Sequence, residues 1–398
     1  MRILICAVEA PLPPTNGFRL MLGALTEGLR REHDVRVLAF VAPDQETVGS
    51  QDTGLRLVPR PEADRLGDAA ALVQAFVRRR PLRADAMAAA LGGPLREEID
   101  AFDADVVHVT SGRLAALGRA LTGRLSVLGA LDAWHLNVEA RALVAAGARR
   151  RLLRGEAARV RKFEATEYRR FGRVVVVSEA DRDALREVDP VLAISVIPNG
   201  VDARHFAPDP NAVRDSSRIV FTGVMSYAPN VLAADFLARE VFPLVTAARP
   251  DARLAIVGRA PAPRVRSLAE LRGVEVTGEV EDLRPWLVGS GVYVCPMISG
   301  TGIKNKLLEA MACAAGCVAT PLALQGLRVT PGRELLVGTT AQELADGLLR
   351  VLGDDECRER LGHAARGYVL REHDWGSVAN AYQDVYRGLQ ANRGRAAT

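Results

Sequence analysis

The stretch Ser299-Gly300-Thr301-Gly302-Ile303-Lys304-Asn305-Lys306-Leu307-Leu308-Glu309-Ala310-Met311-Ala312 follows the apolar run Val292-Tyr293-Val294-Cys295-Pro296. β-Branched and aromatic residues predict a buried strand for the run, and the apolar spacing from Ile303 onward predicts a helix. Between them, Gly300 and Gly302 let backbone N–H groups approach an anion closely, and a helix opening near Ile303 points its positive end at the same place. Lys304 and Lys306 add point charges suited to a diphosphate. Glu309 lies roughly one and a half turns into the helix, where a carboxylate can accept from vicinal hydroxyls. Diphosphate plus diol is the chemistry of a sugar nucleotide. A Gly-x-Gly alone more often precedes an ordinary amphipathic helix with solvated lysines, so the neighbouring segments carry the decision.

Upstream, Arg218 to Gly223 reads as a strand, followed by a helix near Val231 to Thr246, a strand Arg253 to Val257, a helix Arg264 to Leu271 and a strand Val274 to Val276. Strands alternating with helices mean a parallel sheet covered on both faces. Downstream, helices are expected near Ala341 to Leu352 and Glu356 to Tyr368, then an amphipathic tail from Asp374 to Leu389. The N-terminal half opens the same way. Arg2 to Val8 is a buried strand, Pro11, Pro13, Pro14, Asn16 and Gly17 make a turn, Arg19 to Arg31 has helical spacing, and His33 to Phe40 is a second strand. Pro59 to Pro94 reads as surface helices without chemistry. Asp105 to Thr110 and Ser126 to Asp132 are further strands, and in a doubly wound sheet ligands meet the carboxyl ends, where His108, Asp132 and His135 are expected. For each of these three a satisfied structural role is the competing reading.

Five segments, Phe221-Thr222-Gly223, Ile256-Val257-Gly258-Arg259, Val276-Thr277-Gly278-Glu279-Val280, Gly302 to Ala312, and Gly316-Cys317-Val318-Ala319-Thr320, stand in order over the C-terminal half. Together they resemble the donor-binding half of the family-4 glycosyltransferases. The resemblance implies the α/β GT-B architecture: two Rossmann-like domains with parallel sheets facing an interdomain cleft that holds the sugar nucleotide, and a C-terminal helix crossing back to the first domain. The domains are expected at 1–197, with the helix 374–398, and at 200–373, joined at the turn-forming Pro198-Asn199-Gly200-Val201-Asp202.

The resemblance also implies roles. Gly17 and Arg19 would border the diphosphate and acceptor, Gly223, Arg259, Gly300, Thr301, Gly302, Ile303, Lys304 and Lys306 would surround the diphosphate, and Val280 would hold the base through its backbone. His135, Asp132 and Glu309 are the catalytic candidates, and His108 is a third choice at the transferred sugar. The sequence departs from the family pattern in two places. Thr301 stands where many members carry the first of two glutamates, so Lys304 or Lys306 takes part of the phosphate work, and the loop Val224-Met225-Ser226-Tyr227-Ala228-Pro229-Asn230 lacks the usual arginine and lysine.

The 398 residues, 48% hydrophobic and 25% charged, suit two soluble domains, and a formal charge of +4 does not by itself imply nucleic acid. Cysteines at 6, 295, 313, 317 and 357 form no Cys-x-x-Cys pair and are expected as reduced core residues in a cytosol. The opening apolar run is too short for a signal h-region or a span. Between Arg141 and Arg173, eight arginines outnumber Glu156, Glu164 and Glu167. A solvated helix face is expected there, with weak contact to anionic lipid at the inner face of a membrane, or to an anionic acceptor, as the alternative.

The resulting expectation is a cytoplasmic, retaining glycosyltransferase that moves a hexose-like group from a nucleotide diphosphate sugar to a hydroxyl or amine of a small-molecule, lipid-linked or glycan acceptor. No cofactor and no metal are expected. Two rivals share the donor chemistry: a GT-B-type sugar-nucleotide epimerase, detectable as interconversion without acceptor, and a non-catalytic nucleotide-sugar binding protein, detectable as binding without transfer or hydrolysis.

Overall fold

The computed structural model describes residues 1–13, 17–41, 54–60, 79–82, 84–143, 145–300 and 302–396. The chain divides into two compact units, 1–198 with 378–398 and 199–377.

The first unit is built on β1 (Arg2–Ala7), α1 (Gly17–Arg30), β2 (Asp34–Val41), β3 (Leu55–Pro59), α2 (Ala84–Phe102), β4 (Val106–Thr110), β5 (Ser126–Leu131), α3 (Trp134–Leu143), α4 (Gly147–Glu167), β6 (Arg173–Val176), α5 (Glu179–Val188) and β7 (Ile194–Val196). Its seven strands run in the order β3-β2-β1-β4-β5-β6-β7 and every pair is parallel. All five residues of β4 are buried, which is why the central strands read as unbroken apolar runs. The segment around Pro81 to Pro94 departs from expectation where it is described: α2 is no surface helix, since Met87, Leu91, Leu95, Ile99 and Phe102 enter the core along one stripe. Residues 61–78 of that segment lie outside the described residues.

The second unit contains β8 (Asp215–Thr222), α6 (Ala228–Phe236), β9 (Arg253–Val257), β10 (Val274–Gly278), β11 (Ser290–Cys295), α7 (Asn305–Ala312), β12 (Cys317–Ala319), β13 (Leu336–Val337), α8 (Ala341–Gly353) and α9 (Asp355–Glu372). Strand order is β10-β9-β8-β11-β12-β13, again parallel throughout. The last helix, α10 (Trp375–Ala396), begins in the second unit and ends in the first.

Each sheet reverses its winding once, between β1 and β4 and between β8 and β11. Such switch points leave a crevice outside the carboxyl ends of the two strands, because the connecting helices there lie on opposite faces. The loops leaving β8 and β11 are the ones that carry the sequence-predicted diphosphate residues. All five cysteines are buried and free. Among the described residues, no helix is long and apolar enough to cross a membrane.

Candidate functional site

At the second unit's switch point two glycines bring two backbones together and leave room beside them for two side chains. A side chain at Gly258 would put its Cβ 1.8 Å from the Gly223 carbonyl oxygen, and one at Gly223 would come within 2.7 Å of Asn230 Nδ2 and 3.0 Å of Lys306 Nζ. The ends of β8 and β9 therefore meet, with the Lys306 ammonium reaching in from α7, because neither position carries a side chain. Gly300 and Gly302 have φ of +99° and +74°, the left-handed region that favours glycine, and they bend the loop into α7. The helix opens at Asn305 rather than near Ile303, with Lys304 as its capping residue. Thr301 lies outside the described residues.

Lys306 sits in this junction. Its ammonium donates to Asn230 Oδ1, lies 3.8 Å from Met297 Sδ and stands 4.9 Å from the centre of the Phe221 ring. These partners are a neutral amide, a thioether and an aromatic face. Asn230 is itself buried and donates from Nδ2 to the Val224 carbonyl at 2.9 Å, which fixes the amide for the lysine. Lys304 is only 7% exposed and its ammonium donates to the Gly302 carbonyl. Burial lowers the pKa of both lysines, so each gains from a nearby negative charge. Glu309, three residues past Lys306 on α7, is half-buried. Burial pushes its carboxyl up to about 7 against the opposing pull of Lys306. Ile303 is half-buried, Arg259 is exposed, and Val280 is half-buried just beyond β10. An ammonium pair, a helix N-terminus and a proton-holding carboxyl at one sheet edge suit an anionic ligand that also carries hydroxyls.

In the first unit, β5 ends in strained backbone: Leu131 has φ +70°, and its pairing with β6 slips between Gly129 and Leu131. Asp132 follows, half-buried, and accepts from Asn137 Nδ2 at 2.6 Å. Burial raises its pKa, opposed by the Asn137 bond. His135, in the first turn of α3, is 1% exposed, and its Nδ1 lies 2.6 Å from Glu164 Oε2 on α4. Gly17 is exposed at the start of α1.

One expectation is corrected here. His108 lies in the middle of β4, not at its carboxyl end, and is fully buried, with Nδ1 2.8 Å from the Tyr386 hydroxyl of α10 and Nε2 facing Gly129. Its face of the strand is covered by the last helix, so it belongs to packing. Arg19 is buried rather than a surface arginine, and its Nε donates to Glu9 at 2.7 Å and Nη1 to the Pro13 carbonyl. The solvated face expected for 141–173 is present, since Arg149, Arg150, Arg151, Arg154, Arg161, Arg169 and Arg170 are exposed, while the opposite face carries two buried acids. α4 ends in buried Glu164 and Glu167, the latter paired with Arg80, Arg119 and Arg170. Sequence reasoning missed Glu164 and Asn230. For Glu164 a signal existed, since it shares a helical stripe with Ala157, Val160 and Phe163.

Two family models match. Residues 15–205 match "Glycosyltransferase Family 4" and residues 216–354 match "Glycosyl transferases group 1", one in each unit. The chain belongs to the family-4 glycosyltransferases. Among curated relatives of this GT-B protein, alpha-maltose-1-phosphate synthase of Mycobacterium tuberculosis is 30% identical over 249 residues, 55% of this chain and 63% of that protein. Phosphatidyl-myo-inositol mannosyltransferase of the same organism is 30% identical over 206 residues, 48% of this chain and 53% of that protein. The chain thus spans less than two thirds of the length of these relatives. Among solved structures, sucrose-phosphate synthase from Thermosynechococcus elongatus is similar at TM-score 0.70 and 18% identity, covering 98% of this chain and 100% of that one. HepE from Anabaena, solved in complex with UDP-glucose, is similar at TM-score 0.64 and 15% identity, covering 98% and 100%. At these identities the structural likeness is one of fold.

Proposed function

We propose that this family-4 glycosyltransferase moves a hexose-like group from a nucleotide diphosphate sugar to an acceptor hydroxyl or amine, with retention at the anomeric carbon. The observation that carries the reading is Lys306: a half-buried ammonium at the second sheet's switch point whose hydrogen-bond and ring partners are neutral and whose nearby acid, Glu309, is pushed by burial towards its protonated form, beside the N-terminus of α7. A diphosphate supplies the charge that burial withholds. Lys304, Lys306 and the helix N-terminus then stabilise the leaving diphosphate as its charge grows, with fixed groups that need no reorganisation. The same groups make a metal cofactor unnecessary in this scheme.

The Glu309 carboxylate accepts from the ribose diol, the loop at Val280 takes the base, and Gly223 admits the phosphates beside Lys306. Asp132 and His135, at the carboxyl edge of the first sheet, orient the transferred sugar and the acceptor. The names of the relatives, a maltose-1-phosphate synthase and a phosphatidylinositol mannosyltransferase, favour a hexose donor and leave the acceptor class open between soluble and lipid-linked. The reading places the enzyme in the cytoplasm or at the inner membrane face.

The test is a panel of nucleotide diphosphate sugars run against thermal unfolding of the wild type and Lys306→Ala. A true donor at 100 times its Kd stabilises the protein by about 2.7 kcal/mol and raises Tm by several degrees. The shift should shrink by more than half in Lys306→Ala, and wild-type turnover with an acceptor extract should follow the same sugar. No shift from any nucleotide sugar overturns the reading.

A further inference from the structure

Glu164 has no place in the chemistry described so far, yet it is fully buried in the last full turn of α4. A carboxylate at 0% exposure persists only when its oxygens are matched by donors, because an unpaired buried charge is among the costliest groups a fold can hold. Both donors come from one residue. Glu164 Oε1 accepts from the His135 backbone N–H at 3.2 Å, and Oε2 lies 2.6 Å from His135 Nδ1. The first bond satisfies an N–H in the opening turn of α3, a group with no partner inside its own helix. The second fixes the imidazole ring.

The surroundings keep this pair rigid and exclusive. α3 and α4 pack through Val138, Ala157 and Val160, and the Trp134 and Phe163 rings, neighbours of His135 and Glu164 in sequence, meet edge to face at 6.0 Å. The other acids near the turn are engaged elsewhere: Asp132 with Asn137, Asp181 with the Ala133 N–H and with Ser178. The Tyr168 hydroxyl, one turn past Glu164, lies over Gly112, where a Cβ would come within 2.1 Å.

We infer that Glu164 is the positioning residue for His135: its carboxylate accepts hydrogen bonds from Nδ1–H and the backbone N–H together, so that Nε2 is presented as a hydrogen-bond acceptor. The inference rests on the role assigned to His135 in the transfer reaction and adds its polarity. The group His135 orients must carry a proton to donate, as a sugar or acceptor hydroxyl does. A carboxylate is required because two N–H donors need two oxygens; a glutamine has one oxygen and would set its own NH2 against the second donor.

The test uses the full-length protein with ¹⁵N-labelled histidine, wild type and Glu164→Gln, together with steady-state kinetics. Among the rings that carry their proton on Nδ1, which include His373 facing the Asn199 carbonyl, wild type should show one shifted strongly downfield that His135→Ala removes and Glu164→Gln moves or splits. Turnover of Glu164→Gln should fall at least about tenfold while KM for the donor stays within about twofold, since the fault lies in orientation and not in donor binding. In a His135→Ala background, Glu164→Gln should cost nothing further. If Glu164→Gln does not fold, Glu164→Asp, which keeps the charge but falls one methylene short, must show the same ring signature and turnover loss. Unchanged ring signal and turnover in a folded Glu164 variant overturn the positioning role. A shifted ring signal with full activity in His135→Ala would leave the Glu164 contact standing and remove His135 from the reaction instead.

Discussion

Burial holds a proton on Glu309 up to about pH 7, whereas an unfolded glutamate releases it near 4.3. The folded-state pKa is raised, so the stability tied to this group is fully present below about pH 4.3 and is lost as the pH rises through about 7. Glu309→Gln has no such loss. Without ligand, its Tm should match wild type below about pH 4.3 and exceed it by roughly 2–4 °C above pH 8, allowing for the partial exposure of the site. With the donor present the order reverses, because charge-assisted bonds to the ribose diol are worth about 1.5–3 kcal/mol each and the amide forfeits them. Donor affinity should drop at least tenfold, and a 2′,3′-dideoxy donor should bind the glutamine variant no worse than the natural one does. Equal affinity of wild type and Glu309→Gln for the natural donor would return Glu309 to a helix residue without a ligand.

At the scale of elements, β4 and α10 are joined through His108. Tyr382 and Tyr386 cover its ring, the Tyr386 hydroxyl meets Nδ1, and burial depresses the pKa to about 3. A histidine held neutral by the fold contributes stability above its unfolded pKa of about 6.5, and that contribution is lost as the pH falls from there towards about 3. His108→Gln keeps a polar side chain on β4 but does not titrate. Its denaturant midpoint should therefore vary less than that of wild type between pH 6.5 and 4, even if it is lower at neutral pH. Parallel acid limbs for the two proteins would show that His108 already has access to a proton in the folded state. In the second unit, the close approach of the ends of β8 and β9 depends on Gly258, and Gly223 leaves the room beside it that the Lys306 ammonium occupies.

The whole molecule is two Rossmann-like units, and its last helix belongs by packing to the first of them. α10 buries Val378, Ala379, Tyr382, Tyr386 and Leu389, and the Cβ of a residue at 172 would lie 3.0 Å from Leu389. Ending the chain after Ser377 leaves the Trp375 ring against Gly200 and every element of the second unit in place. Calorimetry of that truncation should resolve two transitions: one at lower temperature for a first unit whose His108 face is bare, and one for residues 199–377 near its original position. A single unshifted transition would mean that α10 contributes nothing to the first unit.

Strand runs, the βαβ order and the glycine turns were legible in the sequence because each depends on residues within a few positions: apolar runs bury on both faces, and only glycine fits the backbone at 300 and 302. The family pattern over the C-terminal half likewise located Gly223, Lys304, Lys306 and Glu309 at one sheet edge. What local sequence could not decide was which polar side chains the core would claim. His108 is taken by Tyr386, 278 residues away, Lys306 is held by Asn230, 76 residues away, and His135 by Glu164, 29 residues away. Arg19 is held by Glu9 under α1. Each outcome depends on which strand face or helix stripe another element covers, and that follows from packing between distant segments, where a charge or an imidazole is kept only if the fold supplies its partner.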